Sequence, residues 1–417
     1  MNPRRAWIFY DWANSAFVTT VVTAVYPVYF QEVAAADLPR VRATTIYAGA
    51  TTVALVLVAV LGPILGSIAD ERAAKKRLLA IFTTLGALSS IGLAAVGKGD
   101  WQLGALLFIT GNVGWAGSLV FYDALLPHLA QGDEADRLSS AGYALGYLGG
   151  GLLLAFNLLT IQKPQLFGLA DAAQASRLSF ALVGVWWLVF SIPIFRSVSE
   201  PPARPSEGPS RGPFARFAST LKDLRSYRQA FVLLIAILLF TDGVSTIIRM
   251  ATIYGSEVGV SRGALIGAVL VVQFLGIPFA FLFGRLAGKL GARGGIFLGI
   301  AVYSVASLCG FFLQTERGFY LLAVLVAIAQ GGTQALSRSL FSSVVPAERS
   351  AEFFGFFALA DKFAGILGPA IFGITAAFAG STRWAVLSVL LFFLAGAWLL
   401  AKVDVERGRR EALHRPA

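Results

Sequence analysis

Long apolar segments, separated by short polar and basic stretches, recur along the whole chain. Twelve of them approach the roughly 20 residues that an α-helix needs to cross a bilayer. The pattern therefore predicts an all-α integral membrane protein with twelve transmembrane helices. The predicted segments cover residues 7–34, 45–69, 78–97, 102–126, 139–160, 177–195, 229–256, 262–283, 295–314, 318–340, 353–378 and 384–401.

The connection between the sixth and seventh segments differs in composition from the others. It is rich in Pro, Ser, Gly and Arg, which is typical of a linker. Its later part carries Phe214, Phe217 and Leu221 at helical spacing with basic residues between them. That pattern predicts an amphipathic helix on the membrane surface, with a solvated tether as the alternative. We therefore divide the chain into two six-helix halves, residues 1–195 and 229–401, a cytoplasmic linker with an amphipathic helix, residues 196–228, and a cytoplasmic tail, residues 402–417.

Matching positions in the two halves indicate an internal duplication. Gly66 and Gly284 each begin a basic stretch and are 218 positions apart (284 − 66), while Pro127 and Pro346 are 219 apart (346 − 127). Chance matches would scatter, whereas near-constant offsets are expected of a repeat. Parallel six-helix repeats about an axis along the membrane normal are one known transporter architecture. The offsets therefore predict two pseudo-symmetric six-helix bundles.

Composition and charge agree with a multi-pass membrane protein. The chain is 57% hydrophobic and only 14% charged, which is far from the composition of soluble domains. The net charge of +11 does not indicate nucleic-acid binding, because the basic residues stand at the ends of apolar segments. Placing the N-terminus in the cytoplasm puts most Lys and Arg residues there, as the positive-inside rule requires. Both termini are therefore predicted to be cytoplasmic, in a bacterial-type inner (plasma) membrane.

Polar side chains follow one face of the first and of the seventh predicted helix. Residues three and four positions apart share a helix face. A carboxylate that faces lipid costs roughly 3 kcal/mol or more, so each stripe is expected to face protein or a water-filled interior. Two such stripes indicate a shared cavity for substrate binding or coupling. The first stripe comprises Asp11, Asn14 and Ser15, and the second comprises Asp242, Ser245, Thr246 and Arg249.

Further polar and ionisable residues interrupt the apolar segments of the second half. Arg338 shares a helix face with Gln334 and could either pair with backbone carbonyls or bind an anionic group. Asp361 and Lys362 are adjacent, so they project about 100° apart on a helix and need not pair with each other. Intramembrane charges are functional candidates by default. We add these four residues to the binding and coupling set, with a structural buried ion pair as the alternative for Asp361 and Lys362.

The basic stretches after the second and the eighth predicted helices resemble the loop signature of the major facilitator superfamily. The resemblance implies the fold of that superfamily and a role for these residues in gating. For the acidic and basic residues of the first stretch, capping of a helix end is the alternative role. The first stretch contains Gly66, Asp70 and Arg72, and the second contains Gly284, Lys289 and Arg293.

Five other stretches carry a more specific likeness, at residues 10–17, 142–151, 242–249, 334–339 and 352–356. They resemble the vacuole-effluxer-like family, which includes fungal autophagy-related amino-acid exporters and many bacterial relatives. The resemblance spans nearly the whole chain. It implies a transporter, and it implies amino acids or similar small zwitterions as cargo, although similar folds carry many cargoes.

We therefore expect a secondary transporter that moves a small solute by alternating access, with the two halves rocking around a central site. We expect ion coupling, by a proton rather than sodium, with Asp242 in the coupling role and Asp11 in gate structure. A lipid flippase on the same fold is the alternative, and a membrane-embedded transferase is less favoured because no convergent catalytic set is apparent.

Other partners and cofactors find little support in the sequence. One Cys and two distant His provide neither a disulfide framework nor a metal-ligand set, so we expect no cofactor and no metal. The sequence carries no Gly-x4-Gly-Lys-Ser/Thr loop for ATP. We expect a monomer in the lipid bilayer that is not an enzyme and has no nucleic-acid partner.

The substitution Glu207→Cys tests the predicted topology. After replacement of Cys309, the single native cysteine, a membrane-impermeant thiol reagent should not label this residue from outside intact cells. The reason is that the linker is predicted to lie in the cytoplasm, and permeabilised cells should therefore become labelled. Labelling from outside would contradict the cytoplasmic assignment of both termini.

Overall fold

The computed structural model describes residues 1–203, 225–364 and 367–413, except for a few side chains that belong to helices in these ranges. These ranges consist of helices joined by short connections and contain no strand. The predicted amphipathic helix of the linker lies outside the described residues. The α-helices are α1 Pro3–Ala16, α2 Tyr26–Tyr29, α3 Arg40–Glu71, α4 Lys75–Leu93, α5 Trp101–Ala124, α6 Leu126–Leu129, α7 Asp133–Gln162, α8 Ala172–Ser197, α9 Arg228–Glu257, α10 Arg262–Phe311, α11 Glu316–Ser343, α12 Ser350–Phe363, α13 Leu367–Ala379, α14 Thr382–Ser388, α15 Leu390–Ala401 and α16 Val405–Leu413.

The helices coincide with the apolar segments that the sequence pattern predicts. Nine helices in the described ranges are long and apolar enough to cross a membrane. The eleventh predicted segment is divided between α12 and α13, and the twelfth is divided between α14 and α15. The all-α membrane fold is thereby confirmed, while the count of twelve crossings stays a prediction.

The first predicted segment is not a uniform α-helix. Helix α1 passes directly into a π-helical stretch, Phe17–Ala24, and a second π-helical stretch, Phe30–Ala34, follows α2. Backbone hydrogen bonds that span five residues end these stretches, from Val25 N to Thr20 O and from Ala35 N to Phe30 O, both at 2.8 Å. Such turns are rare in proteins and are frequently found at functional sites.

The predicted loop between the eighth and ninth segments is wrong in its extent. Gly284 and Lys289 are helical, because the range of α10 consists of two helices, one from each predicted segment, that meet at a kink. The helix bends at Gly291, whose φ of 71° and ψ of 158° are not helical. That φ lies in the left-handed region, which glycine adopts readily because it has no Cβ. A single backbone bend therefore replaces most of the loop.

Small residues let the helices of the first half approach each other closely. A Cβ at Gly114 on α5 would lie 2.3 Å from the backbone nitrogen of Gly86 on α4, and a Cβ at Gly184 on α8 would lie 2.4 Å from the carbonyl oxygen of Ala87. In a bilayer, helix association depends on such van der Waals contact, because lipid tails are as apolar as the side chains. These glycines therefore place the backbones of α4, α5 and α8 in direct contact.

The start of α1 and the last described helix, α16, lie on the same side of the bundle, which we call the terminal side. Arg4 forms an ion pair with Glu134 in the first turn of α7. Arg409 of α16 lies within electrostatic reach of Asp136 in the same turn of α7. The start of α1 and the last helix therefore meet at one end of α7.

Contacts between the first half, up to residue 197, and the second half, from residue 228, concentrate on the terminal side. Helix α3 packs against α12, and α7 packs against α10 and α11. A Cβ at Gly66 would lie 2.2 Å from the carbonyl oxygen of Ala351, and a Cβ at Gly355 would lie 2.5 Å from Pro63 N. Direct backbone contact therefore joins the two halves on this side.

Gly114→Ala should destabilise the protein, because its new methyl group would meet the backbone of α4. Overpacking of this kind costs about 1–3 kcal/mol. Gly49→Ala on α3 is the matched control, since nothing lies within 4 Å of a Cβ there. Thermal unfolding of the detergent-purified variants measures the difference, and equal midpoints would contradict the close packing of α4 and α5.

Candidate functional site

Arg338 is buried on the terminal side, where α11 of the second half meets three helices of the first half. Only 2% of its side chain is exposed. Its Nη2 lies 3.1 Å from Asp11 Oδ2 on α1, and its Nη1 lies 3.0 Å from Asp123 Oδ1 on α5. Its Nε donates to Ser139 Oγ on α7 at 2.9 Å, and Nη2 also donates to the Ser139 carbonyl at 3.0 Å. One guanidinium therefore holds α1, α5 and α7; we call this group the Arg338 cluster.

Aromatic rings surround the guanidinium and keep water away from it. The Cζ atom of Arg338 lies 4.7 Å from the ring centre of Trp7 and 4.4 Å from that of Tyr143. Tyr122 stacks on Trp7 at a centroid distance of 4.4 Å and donates its hydroxyl to Asp11 Oδ2 at 2.8 Å. Cation–π contacts and charge-assisted hydrogen bonds gain strength in such desolvated surroundings.

The Arg338 cluster has a formal charge of −1 when both carboxylates are ionised (+1 − 2). Paired charges in a low-dielectric interior are stable only while their partners remain, and loss of one partner leaves an uncompensated buried charge. Close packing also depends on Gly142 of α7, because a Cβ there would lie 2.4 Å from Asp11 Oδ2. Separation of the halves at this point therefore requires that water replace the lost contacts.

A second buried carboxylate joins the halves at the end of α3. Asp70 is 1% exposed and accepts hydrogen bonds from the backbone N–H groups of Ala351 at 3.2 Å and Glu352 at 2.9 Å, in the first turn of α12. A negative charge is stabilised there by the unpaired N–H groups and the helix dipole. Lys75 at the start of α4 completes the contact, with its Nζ 2.8 Å from Asp70 Oδ1. Arg72, in contrast, is exposed.

His128 on α6 bridges the two sides of this contact. Its Nε2 lies 3.4 Å from Lys75 Nζ and 3.4 Å from Ser350 Oγ. Ser350 Oγ also donates to the carbonyl of Ala124 at 2.8 Å. Polar groups from α4, α5 and α6 therefore reach the first residue of α12.

The structure divides the second predicted stripe. Asp242 is fully buried, and its Oδ1 accepts a hydrogen bond from the backbone N–H of Gly368 at 3.0 Å, near the start of α13. Thr246 is also buried and donates its hydroxyl to the Asp242 carbonyl at 2.7 Å. Ser245 is half-buried, and Arg249 is exposed. The stripe therefore separates into a buried pair against α13 and an exposed cation.

The other predicted polar residues are placed along the same helices. Asn14 donates to the carbonyl of Tyr10 within α1 at 2.8 Å, and Ser15 is half-buried. Gln334 accepts a hydrogen bond from the hydroxyl of Tyr147 at 3.1 Å, which is a further contact between the halves. The first stripe and Gln334 therefore belong to the region where the halves meet.

The second predicted gating stretch is divided between the interface and the surface. A Cβ at Gly284 would lie 2.6 Å from Ser140 Cβ on α7, so α10 and α7 are in close contact there. Arg293 donates from Nη2 to the carbonyl of Ala401 at 2.6 Å, and Lys289 is exposed. Of the three residues, Gly284 lies at the contact between the halves.

Two predicted site residues fall outside this description. Asp361 and Lys362 belong to α12, but their side chains lie outside the described residues, so their roles stay predictions. Among the side chains that the structure does describe, no group of three or more His, Cys, Asp or Glu residues could hold a metal ion.

The two ionic contacts include residues that the stripe pattern does not single out. Asp123 carries a usable signal, because it is an acidic residue within an apolar segment. Lys75 stands in a basic stretch, so the sequence does not distinguish it from the neighbouring basic residues. Tyr122 and Ser139 carry no signal, since hydroxyl groups are common in membrane helices and find partners only in the folded bundle.

Comparison with solved structures identifies the fold. FucP, a major facilitator superfamily transporter in the outward conformation, superposes with a TM-score of 0.74 over 96% of this chain and 98% of its own, at 13% sequence identity. The human organic anion transporter MFSD10 gives a TM-score of 0.72 over 96% of this chain and 100% of its own, also at 13% identity. The chain has the major facilitator fold.

Sequence comparison gives the family. The model described as "Vacuole effluxer Atg22 like" matches residues 39–413. The uncharacterized MFS-type transporter YxiO of Bacillus subtilis is 35% identical over 404 residues, which cover 96% of this chain and 94% of YxiO. Autophagy-related protein 22 of Cryptococcus neoformans is 27% identical over 302 residues, which cover 66% of this chain and 52% of that protein. The chain belongs to the vacuole effluxer Atg22-like family.

Arg338→Gln should destabilise the protein strongly, because it leaves two buried carboxylates without their cation. Breaking a buried ion pair in this way costs about 3–5 kcal/mol. Arg338→Lys should also fail, since one ammonium group cannot reproduce the planar fork that holds Asp11, Asp123 and Ser139.

Arg317→Gln, at an exposed arginine of the same helix, is the matched control and should unfold at the wild-type temperature. Thermal unfolding of the purified variants measures all three effects. Wild-type stability of Arg338→Lys would contradict the cooperative role of the guanidinium.

Proposed function

We propose that the protein is a secondary active transporter that moves small zwitterionic solutes, such as amino acids, by alternating access coupled to protons. The observation that carries the proposal is the Arg338 cluster, in which buried charges of the two halves meet on one side of the bundle. A central site opens alternately to the two sides when the halves rock against each other. The cluster is a contact that such rocking would have to break and remake.

The ionic contacts favour two discrete arrangements of the halves. In the closed arrangement, desolvated charges are paired, and in the open arrangement they would be hydrated. Intermediate separations would leave charges neither paired nor fully hydrated, which is costly in a low-dielectric surrounding. A contact of this kind therefore supports a switch between two states better than a continuous opening.

The predicted orientation assigns the two states to the two sides of the membrane. With both termini in the cytoplasm, the terminal side is the cytoplasmic side. The contacts at Arg338 and Asp70 then close the pathway towards the cytoplasm, and the solute would enter from the opposite side in this state.

The charge balance of the site supports proton coupling. Asp11 and Asp123 share one guanidinium, which leaves the Arg338 cluster with one negative charge in excess when both carboxyl groups are ionised. Asp242 is a further buried carboxyl group that alternation could expose. FucP and XylE, of similar fold, are described as proton symporters.

Charges of both signs favour a zwitterion as cargo. The exposed Arg249 offers a cation for a carboxylate, and the buried carboxyl group of Asp242 offers a partner for an ammonium group. The family description as an effluxer agrees with a small-solute cargo but names none.

Transport by the purified protein in liposomes tests the proposal. Labelled amino acids, neutral sugars, organic anions and fluorescent phospholipids are presented with and without an imposed proton gradient. We expect accumulation of at least one amino acid that collapses with a protonophore. Movement of phospholipids alone would favour a lipid flippase, and sodium-dependent but proton-independent uptake would contradict the coupling ion.

Asp242→Asn should abolish gradient-driven accumulation and leave counterflow exchange of solute intact. The amide keeps the shape and an oxygen that can accept the Gly368 N–H, but it cannot exchange a proton. Asp11→Asn is the contrasting variant, because loss of the Arg338 ion pair damages the closure itself and should lower both activities.

Both activities are measured in the same liposomes at matched protein density. Loss of exchange in Asp242→Asn, with a wild-type unfolding temperature, would show that Asp242 serves closure rather than coupling.

A further inference from the structure

A cavity of about 620 Å³ opens on the side of the bundle opposite to the terminal side. Helix α9 begins at the terminal side, where Asp404 N, just before α16, donates to the side chain of Gln229. Its 30 residues extend for about 45 Å, so Tyr254 and Glu257 at its end lie on the far side. The rest of the lining comes from Val258 just after α9, from the connection after α10, from the end of α13, and from the turn into α14 with its first two residues. The cavity is therefore distant from the Arg338 cluster and from Asp242.

Two opposite charges face this cavity without neutralising each other. Glu257 and Arg383 both line it. Although both side chains are described, no ion pair of 4.0 Å or less joins them. Glu257 Oε2 accepts a hydrogen bond from the hydroxyl of Thr382 at 2.6 Å. Arg383 lies within hydrogen-bond reach of the Tyr254 hydroxyl, and its Nη2 lies 3.5 Å from the carbonyl oxygen of Leu313. Each charged group therefore keeps hydrogen-bonding capacity for a ligand.

The rest of the lining suits a small molecule with both charges and a short side chain. Gln314 adds an amide, and Val258 and Ala376 add apolar surface. The volume falls within the roughly 300–1,000 Å³ of small-molecule sites, which combine apolar walls with a few placed polar groups. A guanidinium binds a carboxylate through a bidentate fork, and a carboxylate accepts well from an ammonium group.

We infer that this cavity is a binding site for small zwitterions, which holds the ligand carboxylate at Arg383 and the ligand ammonium at Glu257. A singly charged amine or carboxylate would satisfy one of these residues and leave the other without a partner. The site would hold solute on the far side of the membrane, against the second half of the protein. This role in transport rests on the proposed function, whereas binding at the cavity does not.

Protection of a cysteine inside the cavity provides a local test. Cys309 is exposed and is first replaced by Ser, and Gln314→Cys then places a single thiol in the lining. The full-length protein in nanodiscs is treated with a charged methanethiosulfonate reagent. L-alanine should slow the modification, while propylamine and propionate at the same concentration should not.

Charge-removing variants assign the protection to the two residues. Glu257→Gln and Arg383→Gln should each raise the concentration of L-alanine needed for half-protection at least tenfold. Glu257→Asp and Arg383→Lys keep the charge and should retain measurable protection. Arg317→Gln, exposed near the start of α11 but outside the lining, is the control and should leave protection unchanged.

Three results would overturn the inference: no protection by L-alanine, equal protection by the singly charged analogues, or protection that survives both charge-removing variants. The thermal unfolding temperature of each variant separates loss of the site from loss of the Glu257–Thr382 contact that ties α14 to α9. Binding without amino-acid transport in liposomes would contradict the proposed function and leave the site standing. Amino-acid transport without protection of the thiol would support the proposed function and contradict the binding site.

Discussion

A buried guanidinium that cannot be left without its partners determines how the two halves of this transporter meet. Arg338 is the contribution of the second half, and the three helices that surround it belong to the first half. Burial of an unpaired guanidinium costs free energy because it loses its hydration, and a paired guanidinium is therefore held tightly by its partners. Aromatic rings complete the enclosure, so the contact depends on close packing as well as on charge. The position of α11 relative to α1, α5 and α7 follows from that requirement.

The contact at Asp70 has a different physical basis and also holds the two halves together on the terminal side. There a carboxylate of the first half caps the N-terminus of a second-half helix, so the backbone of α12 supplies the partner. The residues that allow the approach are glycines, Gly66 and Gly355, whose missing side chains bring α3 and α12 into backbone contact. Side-chain charge, helix dipole and small-residue packing therefore act together on one side of the membrane.

The fold was accessible from the sequence because each helix needs an apolar run long enough to cross the bilayer, and no tertiary information is required to see one. Asp11, Asp242 and Arg338 were accessible for a related reason, since a charge inside such a run must find a partner. Asp70 was accessible only because its stretch resembles the loop signature of the major facilitator superfamily. The residues that pair with these charges could not be predicted from the sequence. Asp123 meets Arg338 from a helix more than 200 positions away in the chain (338 − 123), and a helix-face argument reaches only residues three or four apart.

Local backbone geometry accounts for the other differences. The bend at Gly291 and the division between α12 and α13 follow from single residues and tertiary contacts rather than from periodicity. Arg249 shares a helical face with Asp242 by spacing, yet it is exposed while Asp242 is buried. The spacing of two residues in the sequence tells whether they point to the same side of a helix. The position of each residue along the helix axis determines which neighbouring groups its side chain can contact.

The π-helical stretches after α1 have a consequence for comparing this segment with its relatives. Each five-residue backbone bond takes in one residue more than an α-helical turn, so the face that a residue presents advances by about 100° at each such turn. A helical wheel drawn through the segment from Asp11 would therefore assign Tyr26 and Tyr29 to the wrong side. In a relative whose first helix is purely α-helical, the residues that face the same way would stand at shifted positions in the sequence. An alignment without a gap would then pair side chains that point in different directions.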